Sequence, residues 1–245
     1  MRAEKQTDMK IQRLKSGFPL SEYAPTWNFP VGHNQWNDVE KIEKIKEWLI
    51  NNETRILNEF EPRHDGDTGL GYNSVTSRFG RYNLFNFNNE LPELTDLLTF
   101  LRKSYLEFIA EDLSTVRMCD VVCWFNIIRD NTTINKHSHG SEISAYLSGN
   151  VHLDNYHTKT MYAPPFESGD FNGFDNVKGG VTIFPSCLPH YTDVYRGTAP
   201  RVSIGFDLWL NHAITPELKE AFVFYPFMDN EIYEQLANEL STREE

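Results

Sequence analysis

Two histidines stand one residue apart in INKHSHGSEISAYLSG, residues 134–149. Residues two apart in an extended chain project to one face. If this stretch opens a strand, His137 and His139 present two imidazoles to the same space. A metal held there needs a further ligand from elsewhere in the chain. His190 is the candidate: it closes FPSCLPH, residues 184–190, where Pro189 holds the chain out of helix and begins another extended stretch. Arg201 then opens RVSIGFDLWLN, and alternation puts Ser203 on its face. If the strands of His190 and Arg201 are antiparallel neighbours, imidazole and guanidinium line one cavity. Iron(II) accepts imidazole and carboxylate ligands, and O2 chemistry needs three of them on one side with the opposite positions open. Arginine is suited to a bidentate grip on a carboxylate. The set is therefore a workable site for iron, an oxo-acid and dioxygen.

The elements that must position these groups change character along the chain. Ile42, Ile45, Trp48, Leu49 and Ile56 recur at three- and four-residue steps, which predicts an amphipathic helix over 39–57. A second helix is expected over 91–113, with Pro92 near its first turn, where a missing N–H costs little. Beyond it come MCDVVCWFNIIRD, SEISAYLSGNVHLD, GGVTIFPS, HYTDVY and RVSIGFDLWLN, short strand-like runs broken by Gly, Pro and Asn. Many short strands with turns between them suggest a jelly roll or barrel. The expected fold is α+β, a double-stranded β-helix (jelly-roll, cupin-like) core with N-terminal helices packed against it. One domain over 1–245 is expected: a mainly helical layer over 1–115, the jelly roll over 116–212, and a C-terminal helical segment over 213–245, its helix at 229–240.

The chain of 245 residues carries a net charge of −12, so its long-range field repels phosphate backbones and anionic membranes. Nucleic acid and membrane are not expected as partners. Cys119, Cys123 and Cys187 form no CxxC pair and leave an odd thiol, which suits a reducing compartment. With no apolar leader run at the N-terminus and no long apolar stretch, a cytoplasmic protein is expected.

From Trp124 to Asn211 the chain resembles the iron(II)/2-oxoglutarate-dependent oxygenases, most closely a bacterial and phage subgroup. The matching residues are WFN at 124–126, HSH at 137–139, ISAYLSG at 143–149, FPSCLPH at 184–190 and RVSIGF at 201–206. The resemblance implies an enzyme that couples oxidative decarboxylation of 2-oxoglutarate, with Fe(II) and O2, to hydroxylation of an unactivated C–H bond in a small molecule or a peptide side chain. It implies iron ligation by His137 and His190, and a grip on the far carboxylate of 2-oxoglutarate by Arg201 with Ser203. Tyr146 and Asn126 are further candidates for the co-substrate pocket.

The superfamily's usual third ligand is an Asp or Glu two residues after the first histidine, where this chain has His139. Three readings follow: three histidines, a carboxylate supplied by Glu142, or His139 behind the metal with water completing it. The first is preferred because the two histidines share a strand face without a bulge. Two other classes fit less well: a three-histidine cupin dioxygenase that needs no oxo-acid, and a non-catalytic jelly-roll binding module. Arg201 with Ser203 argues against the former and a buried HxH against the latter. His33, His64 and His212 are expected on surface loops, and His152 and His157 beside turn residues Asp154 and Asn155. Trp124, Phe184 and Phe206 are expected in the core, and Arg196 beside Gly197 in a solvated turn. The loops at 61–74 and 161–176 are candidates for a lid.

Overall fold

The computed structural model describes residues 9–112, 115–140, 145–164 and 173–241. Two strands, β1 (Lys10–Lys15) and β2 (Asn28–Gln35), precede helix α1 (Val39–Glu59). The side chain of Asp38 accepts the Lys41 N–H and caps α1, and Ile42, Ile45, Leu49 and Ile56 form its buried stripe. Helix α2 spans Glu93–Asp112. Then come β3 (Cys119–Ile128), β4 (Ala145–His152), β5 (Lys159–Tyr162), β6 (Phe174–Asp175), β7 (Gly180–Pro185), β8 (His190–Thr192) and β9 (Arg201–Leu210). A short helix α3 (Pro216–Ala221), a two-residue strand β10 (Tyr225–Pro226) and helix α4 (Asn230–Ser241) end the described chain.

The strands form two sheets. One has seven strands in the order β1-β2-β7-β4-β9-β3-β10, and the other three in the order β6-β5-β8, with every pairing antiparallel. This is the jelly-roll core with helices against it that the strand pattern predicts.

Period-two alternation explains both faces of the large sheet. Val202, Ile204, Phe206 and Leu208 of β9, Cys123 and Phe125 of β3, Val151 of β4, and Val181 and Ile183 of β7 share one hydrophobic cluster with Ile42, Ile45, Leu49 and the apolar residues of α2. The opposite face carries Arg201, Ser203 and Asp207 of β9, Asn126 of β3, and Ser148 and His152 of β4, all buried. A polar strand face ordinarily turns to water. Here it turns toward the small sheet, so the inside of the jelly roll is a polar cavity and the hydrophobic core lies outside it, under the helices.

The N-terminal layer contributes strands as well as helices. β1 and β2 extend the large sheet, β2 pairing with β7 from Gly32↔Ile183 to Gln35↔Gly180. Pro30 interrupts the sequence signal of β2, and its neighbour Arg13 lies on the edge strand. His33 is likewise on β2 and not in a loop. Its ring lies 3.9 Å from that of Phe174, and burial pushes its pKa down to about 4. No helix among the described residues is long and apolar enough to cross a membrane.

Candidate metal centre and co-substrate cavity

His137 and His139 do not lie in a regular strand. Their segment is irregular and is tied to the chain around β8 by a two-way bridge: His137 N–H donates to His190 O at 3.0 Å, and His190 N–H to His137 O at 2.9 Å. His139 N–H donates to Ser186 O at 3.0 Å. The expected common face is nevertheless achieved. Ring nitrogens of His137, His139 and His190 all lie within 4.8 Å of one another.

The second ring nitrogen of each histidine decides what this cluster can hold. His137 Nδ1 faces Asn135 O at 2.8 Å, His190 Nδ1 faces Leu188 O at 3.2 Å, and His139 Nδ1 faces Asp207 Oδ1 at 2.6 Å. A carbonyl or carboxylate oxygen can only accept, so each Nδ1 carries the proton and each Nε2 is left with a lone pair. His137 Nε2 and His139 Nε2 stand 3.2 Å apart. Two lone pairs that close repel unless a cation lies between them. Two nitrogens on adjacent positions of a metal with bonds of about 2.1 Å would be about 3.0 Å apart. A proton is a poor substitute, because burial and the neighbouring imidazoles push the pKa of His137 down to about 4 and that of His190 well below its ordinary value. The donor set therefore fits a divalent transition metal. Glu142, the alternative carboxylate, lies outside the described residues.

Asp207 is the site residue the sequence analysis missed. Its Oδ1 accepts from His139 Nδ1 at 2.6 Å and from Ser148 Oγ at 2.6 Å. A carboxylate behind a ligand imidazole fixes its tautomer and raises its basicity. The alternation that pairs Ser203 with Arg201 continues to Asp207, so the signal was present in RVSIGFD.

The cavity, of about 420 Å³, runs along the inner face of β9 from Arg201 past Ser203 and Asp207 to Trp209. Arg201 is 1% exposed, and its Nε and Nη1 have no hydrogen-bond partner among the described residues. Burial lowers its pKa to about 10, so it stays charged near neutrality. Unpaired buried cations are costly, and one aimed into a cavity fits a carboxylate ligand. Ser203 lies next to it on the same face, and in register with Ser203 are Asn126 on β3 and His152 on β4. Asn126 Oδ1 accepts from Thr76 Oγ1 at 2.7 Å. His152 is 3% exposed with neither ring nitrogen bonded, and burial, then the charge of Arg201, lowers its pKa to about 3. It is a second unsatisfied group at the Arg201 end, on the strand expected to run into Asp154 and Asn155.

Two further expectations are corrected. β8 and β9 belong to different sheets, so His190 and Arg201 meet across the cavity and not side by side. Tyr146 is outside the cavity: the β4–β9 register slips between Ala145 and Leu147, a bulge that turns its side chain away, and its hydroxyl sits 3.2 Å from that of Tyr105. Trp124, expected in the core, also lines the cavity, its ring 5.5 Å from that of His139. Arg196 is exposed and donates to Asn131 Oδ1 at 2.6 Å. His64, His157 and His212 are exposed. Of the two lid candidates, the loop at 61–74 supplies Asp65, Gly66 and Thr68 to the cavity lining, and residues 165–172 of the other lie outside the described residues.

No family model and no curated protein matches the sequence. Solved structures do match. A Pseudomonas putida prolyl-4-hydroxylase aligns over 74% of this chain and 92% of its own with a TM-score of 0.50 and 11% identity. A Trichoplax adhaerens prolyl hydroxylase, in complex with a hypoxia inducible factor oxygen degradation domain peptide fragment, aligns over 74% and 84% with a TM-score of 0.51 and 10% identity. HygX from Streptomyces hygroscopicus, with nickel and 2-oxoglutarate bound, aligns over 80% and 90% with a TM-score of 0.50 and 13% identity. The fold is that of the 2-oxoglutarate-dependent oxygenases. At these identities the likeness speaks for the architecture, and chemistry has to be argued from the side chains.

Proposed function

We propose that this protein is a non-haem iron(II)- and 2-oxoglutarate-dependent dioxygenase that hydroxylates an unactivated C–H bond of a small molecule or a peptide side chain. Its motifs HSH, FPSCLPH and RVS resemble those of the bacterial and phage subgroup, which supports that finer assignment as part of the proposal. One observation carries the reading: three imidazole lone pairs converge in the same cavity as a buried Arg201 whose Nε and Nη1 lack partners. A three-histidine dioxygenase without an oxo-acid would need that arginine only to hold a carboxylate of its own substrate, and a binding module has no use for three acceptor-only nitrogens.

In this reading His137, His139 and His190 hold the iron, and Arg201 with Ser203 holds the far carboxylate of 2-oxoglutarate. His152 and Asn126 flank Ser203 and face the same co-substrate. When bound, iron with 2-oxoglutarate and O2 supplies the oxidising power for C–H hydroxylation. The chain's part is to hold three neutral ligands on one side of the metal, orient the co-substrate from the far end of β9, and keep bulk water out. The substrate follows the same division, small molecule or peptide, and the Trichoplax enzyme is one neighbour with a peptide bound. A cytoplasmic location is part of the proposal.

Anaerobic iron(II) titration with and without 2-oxoglutarate tests it. The parent protein should develop the weak visible metal-to-ligand charge-transfer band only with both present, and Arg201→Ala should lose the band while retaining iron. Loss of the band in His139→Ala would support three-histidine ligation. No iron binding and no band in the parent would sink the oxygenase reading.

A further inference from the structure

The half of the cavity beyond the metal differs in kind from the Arg201 end. At the usual strand rise, Trp209 stands roughly 26 Å along β9 from Arg201, with Asp207 and the His139 it holds in between. Around Trp209 the walls are aromatic. Ring centroids of Trp209 and Phe222 are 5.8 Å apart, of Phe222 and Phe79 6.1 Å, and of Phe79 and Trp124 5.9 Å. All four side chains line the cavity, and Phe79, Trp209 and Phe222 are also partly open to solvent.

This wall is set in advance. The Arg63 guanidinium lies 4.7 Å from the centroid of Phe222 and 5.5 Å from that of Phe79, and its Nη1 donates to Ala221 O at 2.5 Å. Arg63 is not itself among the lining residues. Trp124 lies flat because residue 205 is glycine: a Cβ there would come within 2.7 Å of the indole.

The charges are equally specific. Apart from the histidines, the charged side chains lining the cavity among the described residues are Arg201, Asp207 and Asp65. Arg201 serves the deep end, and Asp207 is engaged by His139 and Ser148. Asp65 is left to the outer end; its Oδ2 accepts from Gly71 N–H at 2.8 Å, and the carboxylate keeps further acceptor capacity. The next residue, Gly66, faces the Phe79 ring, which an added Cβ would approach to 3.7 Å. No lysine or arginine lines this half, and the whole chain carries −12.

We propose that the outer half receives a substrate without an anionic group, laid by a ring or similarly flat apolar body against Trp209, Phe222 and Phe79, with Asp65 taking a hydroxyl or ammonium substituent. The assignment rests on the oxygenase reading for what then happens to the substrate, but not for its binding. Aromatic faces attract rings and cations, and with Arg63 engaged by the Phe79 and Phe222 rings and the Ala221 carbonyl, the Asp65 carboxylate repels phosphates and carboxylates. Phosphorylated metabolites and nucleotides are thereby disfavoured.

The test uses one ring with four substituents: benzylamine, benzyl alcohol, benzoate and phenyl phosphate. Each is titrated by saturation-transfer NMR into protein loaded with nickel(II) and saturated with 2-oxoglutarate, so that Arg201 is already occupied. The amine should bind at least threefold more tightly than the alcohol, and both anions at least tenfold more weakly than the alcohol. Trp209→Ala should weaken the amine and alcohol tenfold or more. Phe222→Ala, outside the sheet, gives the same readout if Trp209→Ala fails to fold. Asp65→Asn should erase the margin of the amine and leave the alcohol unchanged. Anions binding as well as the alcohol, or aromatic variants that bind as the parent does, would overturn the proposal. Retention of 2-oxoglutarate in the same samples judges the oxygenase reading separately. If that fails, the panel is repeated on Arg201→Ala, which removes the carboxylate grip at the deep end, and the same ranking decides.

Discussion

Replacing Asp207 by asparagine isolates the charge behind the metal centre. The amide oxygen of the new side chain would still accept from His139 Nδ1, so the ring keeps its tautomer and orientation while one negative charge is removed. Through the width of an imidazole the carboxylate sits roughly 6 Å from a bound metal. At an effective dielectric of about 20, a divalent cation and a carboxylate at that separation attract by about 5 kcal/mol. The net loss is smaller, because the substitution also relieves the metal-free protein of a buried charge. Groups behind metal ligands are typically worth 10- to 100-fold in affinity, about 1.4–2.7 kcal/mol, and that is the expected weakening. Competition against a fluorescent chelator, with nickel(II) in air and iron(II) under argon, measures it. Asp207→Ala should lose more, since His139 is then no longer oriented. Binding by Asp207→Asn within twofold of the parent would refute the claim that this carboxylate supplies the charge an all-histidine site lacks.

Other consequences are open to direct measurement. Burial lowers the pKa of His152 to about 3 and that of His190 well below 6.5. An unfolded chain takes up these protons below about pH 6.5 and the native metal-free protein does not, so its stability is greatest above pH 6.5. It should fall by roughly 1.4 kcal/mol per pH unit and group on acidification; urea midpoints that coincide at pH 7.5 and 5 would contradict this. Tyr146→Phe should leave the affinity for 2-oxoglutarate within twofold and cost about 0.5–1.5 kcal/mol of stability from the lost Tyr105 contact. A tenfold drop in affinity in that variant would return Tyr146 to the site. Gly149→Ala would push a Cβ into the Phe206 ring and the Thr182 carbonyl, with an expected destabilisation of about 1–3 kcal/mol by chemical denaturation; unchanged stability would mean the strands can part there.

What the sequence could reveal about this site follows from what is local. The alternation of Arg201, Ser203 and Asp207 lies within one strand, and the spacing of His137 and His139 suggested a shared face, which their irregular segment keeps through hydrogen bonds to His190 and Ser186. Both were legible. The exit of Tyr146 was not, because a bulge exists only relative to the partner strand, and the partner lies far away in sequence. The pairing assumed for His190 and Arg201 failed because β7, β8 and β9 alternate between the two sheets. β1 and β2 stayed hidden behind Pro30 and a short, charged edge strand, both tolerated at a sheet margin. His152 shows a further limit. Its neighbours Asp154 and Asn155 read as a turn, and the strand expected to run into them is β4, but nothing local says that the histidine closing that strand faces inward.

β9 also determines when the molecule can come together. It is the last long strand of the sheet to leave the ribosome, yet it sits between β4 and β3 and pairs with β3 from Cys119↔Leu210 to Ile128↔Arg201. The other neighbour of β3, β10, is synthesised later still. Until residue 210 is available, CDVVCWFNII has no partner on either side, an apolar, strongly β-forming segment with both edges open to other nascent chains. A fragment ending before Arg201 would contain all three histidines and still be an aggregation hazard. The strand that ends that exposure also carries the arginine, the carboxylate and the tryptophan of the cavity, so the chain acquires solubility and the site in a single late step.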